Sequence, residues 1–248
     1  MLAAVANGVR VAGAHALRGG VFKPRTSPHS FQGLGLEGLP LLAEIRSLTG
    51  LPIVTEVLDP RNIEEVAQVA DVLQVGARNM ANGALLREIA SAGRPVLLKR
   101  GFGATIDEFL HAADYLLAGG CEDVVLCERG IRSFETSTRF TLDVGAIPVL
   151  RQRTNLPVIV DPSHAAGTAE LVAPLAKAAV AAGADGIMVE VHTDPSSALS
   201  DGSQSLTISE YAQLIEELSG IAQAVGRRIE PTQSASSEMQ LQGTAPLQ

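Results

Sequence analysis

The sequence has only two cysteines, Cys121 and Cys127, in 248 residues. They bracket one strand pattern, and six extended residues hold them roughly 20 Å apart, too far for a disulfide. That usage points to a reducing compartment, and the cytoplasm is the expected location. Basic charge is scarce as well. Lys+Arg number 19 against 27 Asp+Glu, a net charge of −8, which argues against a basic nucleic-acid-binding surface. No apolar run reaches the length of a membrane span, because charge or glycine interrupts each one, so no membrane partner is expected. The apolar stretch at 1–6 has no basic segment before it and is not read as a signal peptide. No G-x-G-x-x-G follows a strand pattern, which argues against a doubly wound dinucleotide-binding sheet.

What is present describes a folded α/β chain. Hydrophobic residues make up 46% and charged residues 19%, enough for one large domain with a proper core. Short apolar runs bounded by turn residues occur at 15–22, 52–57, 72–75, 95–99, 123–127, 157–160 and 186–191. Most are continuously apolar, as strands of a covered parallel sheet are. Helical patterns occupy 2–12, 39–49, 59–70, 82–92, 142–153 and 168–182. Two more start at capping boxes, Thr105 with Glu108 and Thr207 with Glu210. This alternation predicts a (β/α)8 TIM barrel over 1–228, with one strand short of closure and the gap falling before Met1. Residues 229–248 lack Lys and Arg, are rich in Ser, Gln and Thr, and read as a disordered tail.

Active sites of such barrels lie at the C-terminal strand ends. Two of the three lysines, Lys23 and Lys99, fall there, with Arg18, Arg25, Arg78 and Arg129. Any one of these cations alone reads as a salt-bridge partner; six focused on one mouth of an acidic protein call for anionic ligands, phosphate or carboxylate. Thr26 lies beside Arg25. His164, Glu190 and Asp201 follow adjacent strands, and one imidazole with two carboxylates suits a divalent metal such as Mn2+, Fe2+ or Zn2+, while ordinary hydrogen-bonded polar residues are the alternative. His15 falls at the opposite rim and His111 in a helix; both read as structural. His29 reads as a loop residue that could touch substrate. Cys127 alternates with Arg129 and reads as a small inward core residue.

Six motifs in order resemble one enzyme family: FKPRTSPHSFQGLG from Phe22, VGARNMAN from Val75, PVLLKRG from Pro95, LCERGIR from Leu126, DPSHAAG from Asp161 and EVHTDPSSALSDGSQSL from Glu190. The chain resembles 3-deoxy-D-arabino-heptulosonate 7-phosphate (DAHP) synthase in its short bacterial type I form, over about residues 2–218. The resemblance implies a (β/α)8 barrel and a transferase that condenses phosphoenolpyruvate with erythrose 4-phosphate in the shikimate pathway to the aromatic amino acids. It implies that Arg18, Lys23, Arg78, Lys99 and Arg129 hold phosphoenolpyruvate. Arg25 and Thr26 would hold the aldose phosphate, and His164, Glu190 and Asp201 a divalent ion (Mn2+, Fe2+, Zn2+ or Co2+). Lys23, Lys99 and His164 are the catalytic candidates. A homo-oligomer, dimer or tetramer, is expected.

One feature departs from that pattern. The family carries a Gly-Pro-Cys segment at the end of its first strand, supplying a further metal ligand, and this sequence holds no such segment before the 2–12 helix. A start at an internal Met of a longer chain, a true short variant, and a non-catalytic member are the explanations, in that order. The rival activities are the sister synthase that makes 3-deoxy-octulosonate 8-phosphate from arabinose 5-phosphate and a phosphoenolpyruvate-binding subunit without turnover. The KPRTS at 23–27 favours the four-carbon aldose.

Overall fold

The computed structural model describes residues 1–24, 27 and 29–231. Seven parallel strands follow one another in chain order: β1 (Leu17–Arg18), β2 (Ile53–Glu56), β3 (Val72–Val75), β4 (Val96–Lys99), β5 (Val124–Glu128), β6 (Val158–Val160) and β7 (Gly186–Ile187). Each pairs with the next, from Leu17 opposite Ile53 to Val160 opposite Ile187. Helices α1 (Leu2–Val11), α2 (Leu39–Thr49), α3 (Ile63–Val69), α4 (Gly83–Ala90), α5 (Ile106–Ala118), α6 (Ala146–Arg153), α7 (Pro162–Ala166), α8 (Ala169–Ala181) and α9 (Ile208–Ala224) complete the order. The sheet curls on itself, a barrel open between β1 and β7 among the described residues.

The two-residue period of a strand explains both faces. On β4, Val96 and Leu98 join the outer core beneath the helices, while Leu97 faces inward with Val54 of β2 and Cys127 of β5. Val72, Val125, Ile159 and Met188 pack against this inner cluster, so side chains from β2 to β6 and the segment after β7 meet around one axis. One period further along, the inward positions become polar: Glu56, Gln74, Lys99 and Asp161, all buried. The same alternation that fills the barrel with aliphatic side chains therefore delivers charged ones to its C-terminal mouth.

The opposite rim is stitched by aspartates. Asp71, just before β3, accepts from the Ile53 amide (2.9 Å) and from Arg46; Asp185, before β7, accepts from the Val158 amide (2.8 Å), Arg151 (2.7 Å) and Arg227 (2.6 Å). Each carboxylate satisfies the first amide of the neighbouring strand, a donor the ladder leaves open.

Both capping boxes form at the starts of α5 and α9, and Gly50 ends α2 with φ 71. Other boundaries differ from the sequence reading. The 142–153 pattern becomes helical only at Ala146, because Asp143 caps that amide (3.1 Å) while its other oxygen takes Arg100 (2.9 Å). The 59–70 pattern splits into a 3-10 turn at Pro60–Asn62 and α3. The short α7 was hidden inside what reads as a loop; Asp161 caps it through the His164 amide (3.0 Å). The first strand covers two residues of the expected 15–22, since Gly19 and Gly20 follow at once, and the 186–191 strand is a two-residue ladder plus a bridge from Val191 to Leu206. Of the expected tail, Ile229 packs against a second apolar cluster that includes Val172 of α8 and Leu214 and Leu218 of α9, and the Glu230 carbonyl meets His15 Nε2 (2.7 Å); residues 232–248 lie outside the described residues. No helix among the described residues is long and apolar enough to cross a membrane.

Candidate active site at the C-terminal mouth of the barrel

A cleft of about 330 Å³ opens where the polar strand ends converge. Arg18, Lys23, Arg78, Lys99, Arg129, His164, Glu190 and Asp201 all line it, so the expected cations and metal ligands within the described residues come to one place; His29, the loop histidine, is not among the lining residues. Arg25 and Thr26 lie outside the described residues.

Asp161 organises the floor. It is fully buried and accepts from Lys99 Nζ, from His164 Nδ1 (2.7 Å) and from the His164 amide. Burial alone would raise its pKa, but the charges of His164 and Lys99 outweigh that and hold the carboxyl well below its ordinary value. The bond to Nδ1 turns His164 Nε2 toward Glu190, 3.3 Å from Oε1. Ligand atoms of His164, Glu190 and Asp201 lie within 4.8 Å of one another. An imidazole backed by a buried carboxylate, beside two carboxylates, is the donor set and outer support of a divalent-cation site, so these residues fit a metal. Glu190 is held in turn: its amide donates to Ser163 Oγ (3.1 Å) and its Oε2 accepts from Gln204 (3.0 Å). Asp201 sits at φ 61 and meets Lys23 Nζ at 3.2 Å.

The cations are interleaved with these carboxylates. Arg18 donates to Gln74 (2.8 Å), which donates to Glu56 (2.9 Å), and Arg18 also faces Glu190 at 3.7 Å. Burial raises the Glu56 pKa, partly offset by Arg18 and Lys99. Arg129 differs from the rest. Its NH1 is buried and has no hydrogen-bond partner among the described residues, and burial pulls its pKa down to about 10. A buried guanidinium edge without an acceptor is a costly arrangement that an incoming anion would relieve.

Cys127 lies inside the barrel below the cleft, fully buried, its thiol pushed up to about 12 by that burial. Arg100, at the end of β4, points outward to Glu128 and Asp143 rather than into the cleft, as alternation requires. Sequence reasoning missed Phe102, Arg139, Phe140, Gln74 and Gln204. Gln74 had a signal, as the polar break in the VLQV strand, level with Glu56 at the mouth. Phe102, Arg139 and Phe140 reach the cleft on loops, where periodicity gives no direction.

Comparison with known proteins agrees with this geometry. A profile described as the DAHP synthetase I family matches residues 1–225. A "Phospho-2-dehydro-3-deoxyheptonate aldolase" of Thermotoga maritima is 49% identical over 92% of this chain and 68% of its own length. A "2-dehydro-3-deoxyphosphooctonate aldolase" of Nitrosococcus oceani is 36% identical over 81% of this chain and 75% of its own length. The crystal structure of the Thermotoga maritima DAHP synthase superposes with a TM-score of 0.89 at 47% identity, covering 93% of this chain and 67% of that one. A truncated form of the Thermotoga maritima synthase gives 0.86 at 44% identity, covering 93% and 84%. With its barrel, its polar mouth and these likenesses together, the chain belongs to the DAHP synthetase I family.

Proposed function

We propose that the chain condenses phosphoenolpyruvate with erythrose 4-phosphate to give DAHP and inorganic phosphate. The observation that carries this reading is the buried NH1 of Arg129, without a partner among the described residues, in a cation-lined cleft that also holds the His164, Glu190 and Asp201 cluster. Arg129, Arg78, Arg18 and Lys99 would hold the carboxylate and phosphate of phosphoenolpyruvate. Lys23 would join them on phosphoenolpyruvate, and Arg25 and Thr26 of the KPRT motif would hold the phosphate of the aldose. Holding two anions side by side offsets the repulsion that keeps them apart in water, so much of the rate enhancement is positioning.

His164, Glu190 and Asp201 would hold a divalent cation, which supplies a Lewis acid for the aldehyde oxygen when bound. Asp161 holds His164 by Nδ1, which leaves Nε2 facing Glu190 as the ring atom that would ligate the ion. Carbon 3 of phosphoenolpyruvate forms the new bond to the aldehyde carbon. Water adds at carbon 2, and the bond from carbon 2 to the phosphate oxygen breaks to release phosphate. Lys99 Nζ donates to Asp161 and meets Met188 Sδ at 3.8 Å, which leaves one donor for a substrate oxygen. Lys99 and Lys23 would be the proton carriers of the cleft.

Phosphoenolpyruvate consumption with erythrose 4-phosphate against arabinose 5-phosphate tests the reading. A preference for the four-carbon aldose supports it. A preference for arabinose 5-phosphate would assign the chain to the octulosonate reaction that its 36%-identical relatives are named for.

A further inference from the structure

The chain has six phenylalanines, and two of them meet at the rim of the cleft. Phe102 follows β4 and Phe140 follows β5. Their rings stack with centroids 4.9 Å apart and planes within 10°. The guanidinium carbon of Arg129 lies 4.8 Å from the Phe102 centroid and 4.3 Å from that of Phe140, and that of Arg78 lies 5.3 Å from Phe102.

The backbone is shaped to bring these rings there. Gly130, next to Arg129, has φ 92, and a Cβ on it would stand 2.7 Å from the Cβ of Phe140. The Phe140 amide donates to Ala165 O (2.9 Å), the Arg132 amide donates to Phe102 O (2.7 Å), and an antiparallel bridge from Ile131 to Thr141 closes the loop between them. Each ring is thus anchored through its own backbone to an element of the site.

An aromatic face attracts a cation through its quadrupole and leaves the in-plane N–H donors untouched. A carboxylate partner would do the reverse, consuming donors and cancelling the charge. Arg129 has the ring contacts and keeps a buried N–H edge without a partner. We propose that the Phe102–Phe140 stack is a positioning platform, holding Arg129 and Arg78 by their faces so that their N–H edges stay free for the oxygens of an anionic substrate. This rests on the assignment of both arginines to phosphoenolpyruvate.

The test replaces Phe102 with a ring-fluorinated phenylalanine, which keeps the shape and drains the π face, alongside Phe102→Leu and Phe102→Tyr. Calorimetric titration with phosphoenolpyruvate should show a dissociation constant about five- to thirtyfold higher for the fluorinated and Leu variants, with Tyr restoring it to within about twofold. The KM for erythrose 4-phosphate and the melting temperature of the fluorinated variant should stay at the unsubstituted values. Arg129→Ala separates the two layers of the claim. Weakened binding in Arg129→Ala with unchanged binding in the fluorinated variant overturns the platform alone. Unchanged binding in Arg129→Ala overturns the arginine's assignment, and the platform with it. A loss confined to Phe102→Leu, equal for both substrates and accompanied by a lower melting temperature, would make the rings ordinary packing.

Discussion

Asp161→Asn should destabilise the protein by about 3 kcal/mol. The carboxylate is fully buried, and its partner Lys99 is only 5% exposed in its side chain, so removing the negative charge leaves an ammonium stranded inside the barrel mouth. Breaking one side of such a pair costs about 3–5 kcal/mol; asparagine keeps the shape and one carbonyl acceptor, which places the loss at the lower end. For a chain of this size each kcal/mol moves the melting temperature by about 2–4 °C, so the expected drop is about 6–12 °C. Adding Lys99→Met to Asp161→Asn removes the stranded charge and should recover part of the loss, which a purely steric defect would not allow. The sign with pH is fixed by the lowered carboxyl. Its stabilisation is complete above the unfolded value of about 3.8 and disappears as pH falls through the folded value, so the gap between wild type and variant should close in acid. His164 also loses its carboxylate support, and Mn2+ affinity measured by calorimetry should fall about 10–100-fold. A melting temperature within about 2 °C of wild type, together with unchanged Mn2+ affinity, would refute the role given to Asp161.

Three further outcomes follow from the geometry. Gly130→Ala puts a side chain at φ 92 and 2.7 Å from Phe140; it should cost about 1–3 kcal/mol and raise the phosphoenolpyruvate KM, and unchanged melting and kinetics would contradict the packing described. The thiol of Cys127 is buried and pushed up to about 12, and that of Cys121 is raised by burial too. Both should resist a disulfide-exchange reagent at pH 8 in the native state and react on unfolding; rapid native labelling of Cys127 would mean an open interior. Asp185→Ala frees the Val158 amide, Arg151 and Arg227 and should lower the melting temperature by several degrees at neutral pH. Burial raises the Asp185 carboxyl less than those partners lower it, so this difference too should shrink below about pH 4.

Much of the barrel was legible because its strands are continuous apolar runs with a fixed period. Once 95–99 is a strand with Leu97 inside, Lys99 must face the mouth, and the same step takes Cys127 inside and Arg129 into the cleft. The capping boxes at Thr105 and Thr207 were legible for a local reason, since cap and partner are three residues apart. The short α7 was not, because its cap, Asp161, reads equally well as a loop residue. The Asp161 bond to His164 spans only three residues, within the DPSH segment, but its bond to Lys99 joins strands 62 residues apart in sequence, and no local pattern announces that one. Phe102 and Phe140 were invisible for the same reason: an aromatic on a loop has no period, and only the backbone around Gly130 shows where it goes.

The polar mouth of this barrel, as proposed, is a metal-assisted site for joining two phosphorylated substrates. Its most direct test is turnover of phosphoenolpyruvate with erythrose 4-phosphate by the 248-residue chain, first after treatment with EDTA and then with Mn2+ restored. The account predicts little consumption after chelation, recovery with the metal, and release of one phosphate for each phosphoenolpyruvate consumed. A folded sample that binds neither phosphoenolpyruvate nor Mn2+, and shows no turnover with the metal restored, would contradict it.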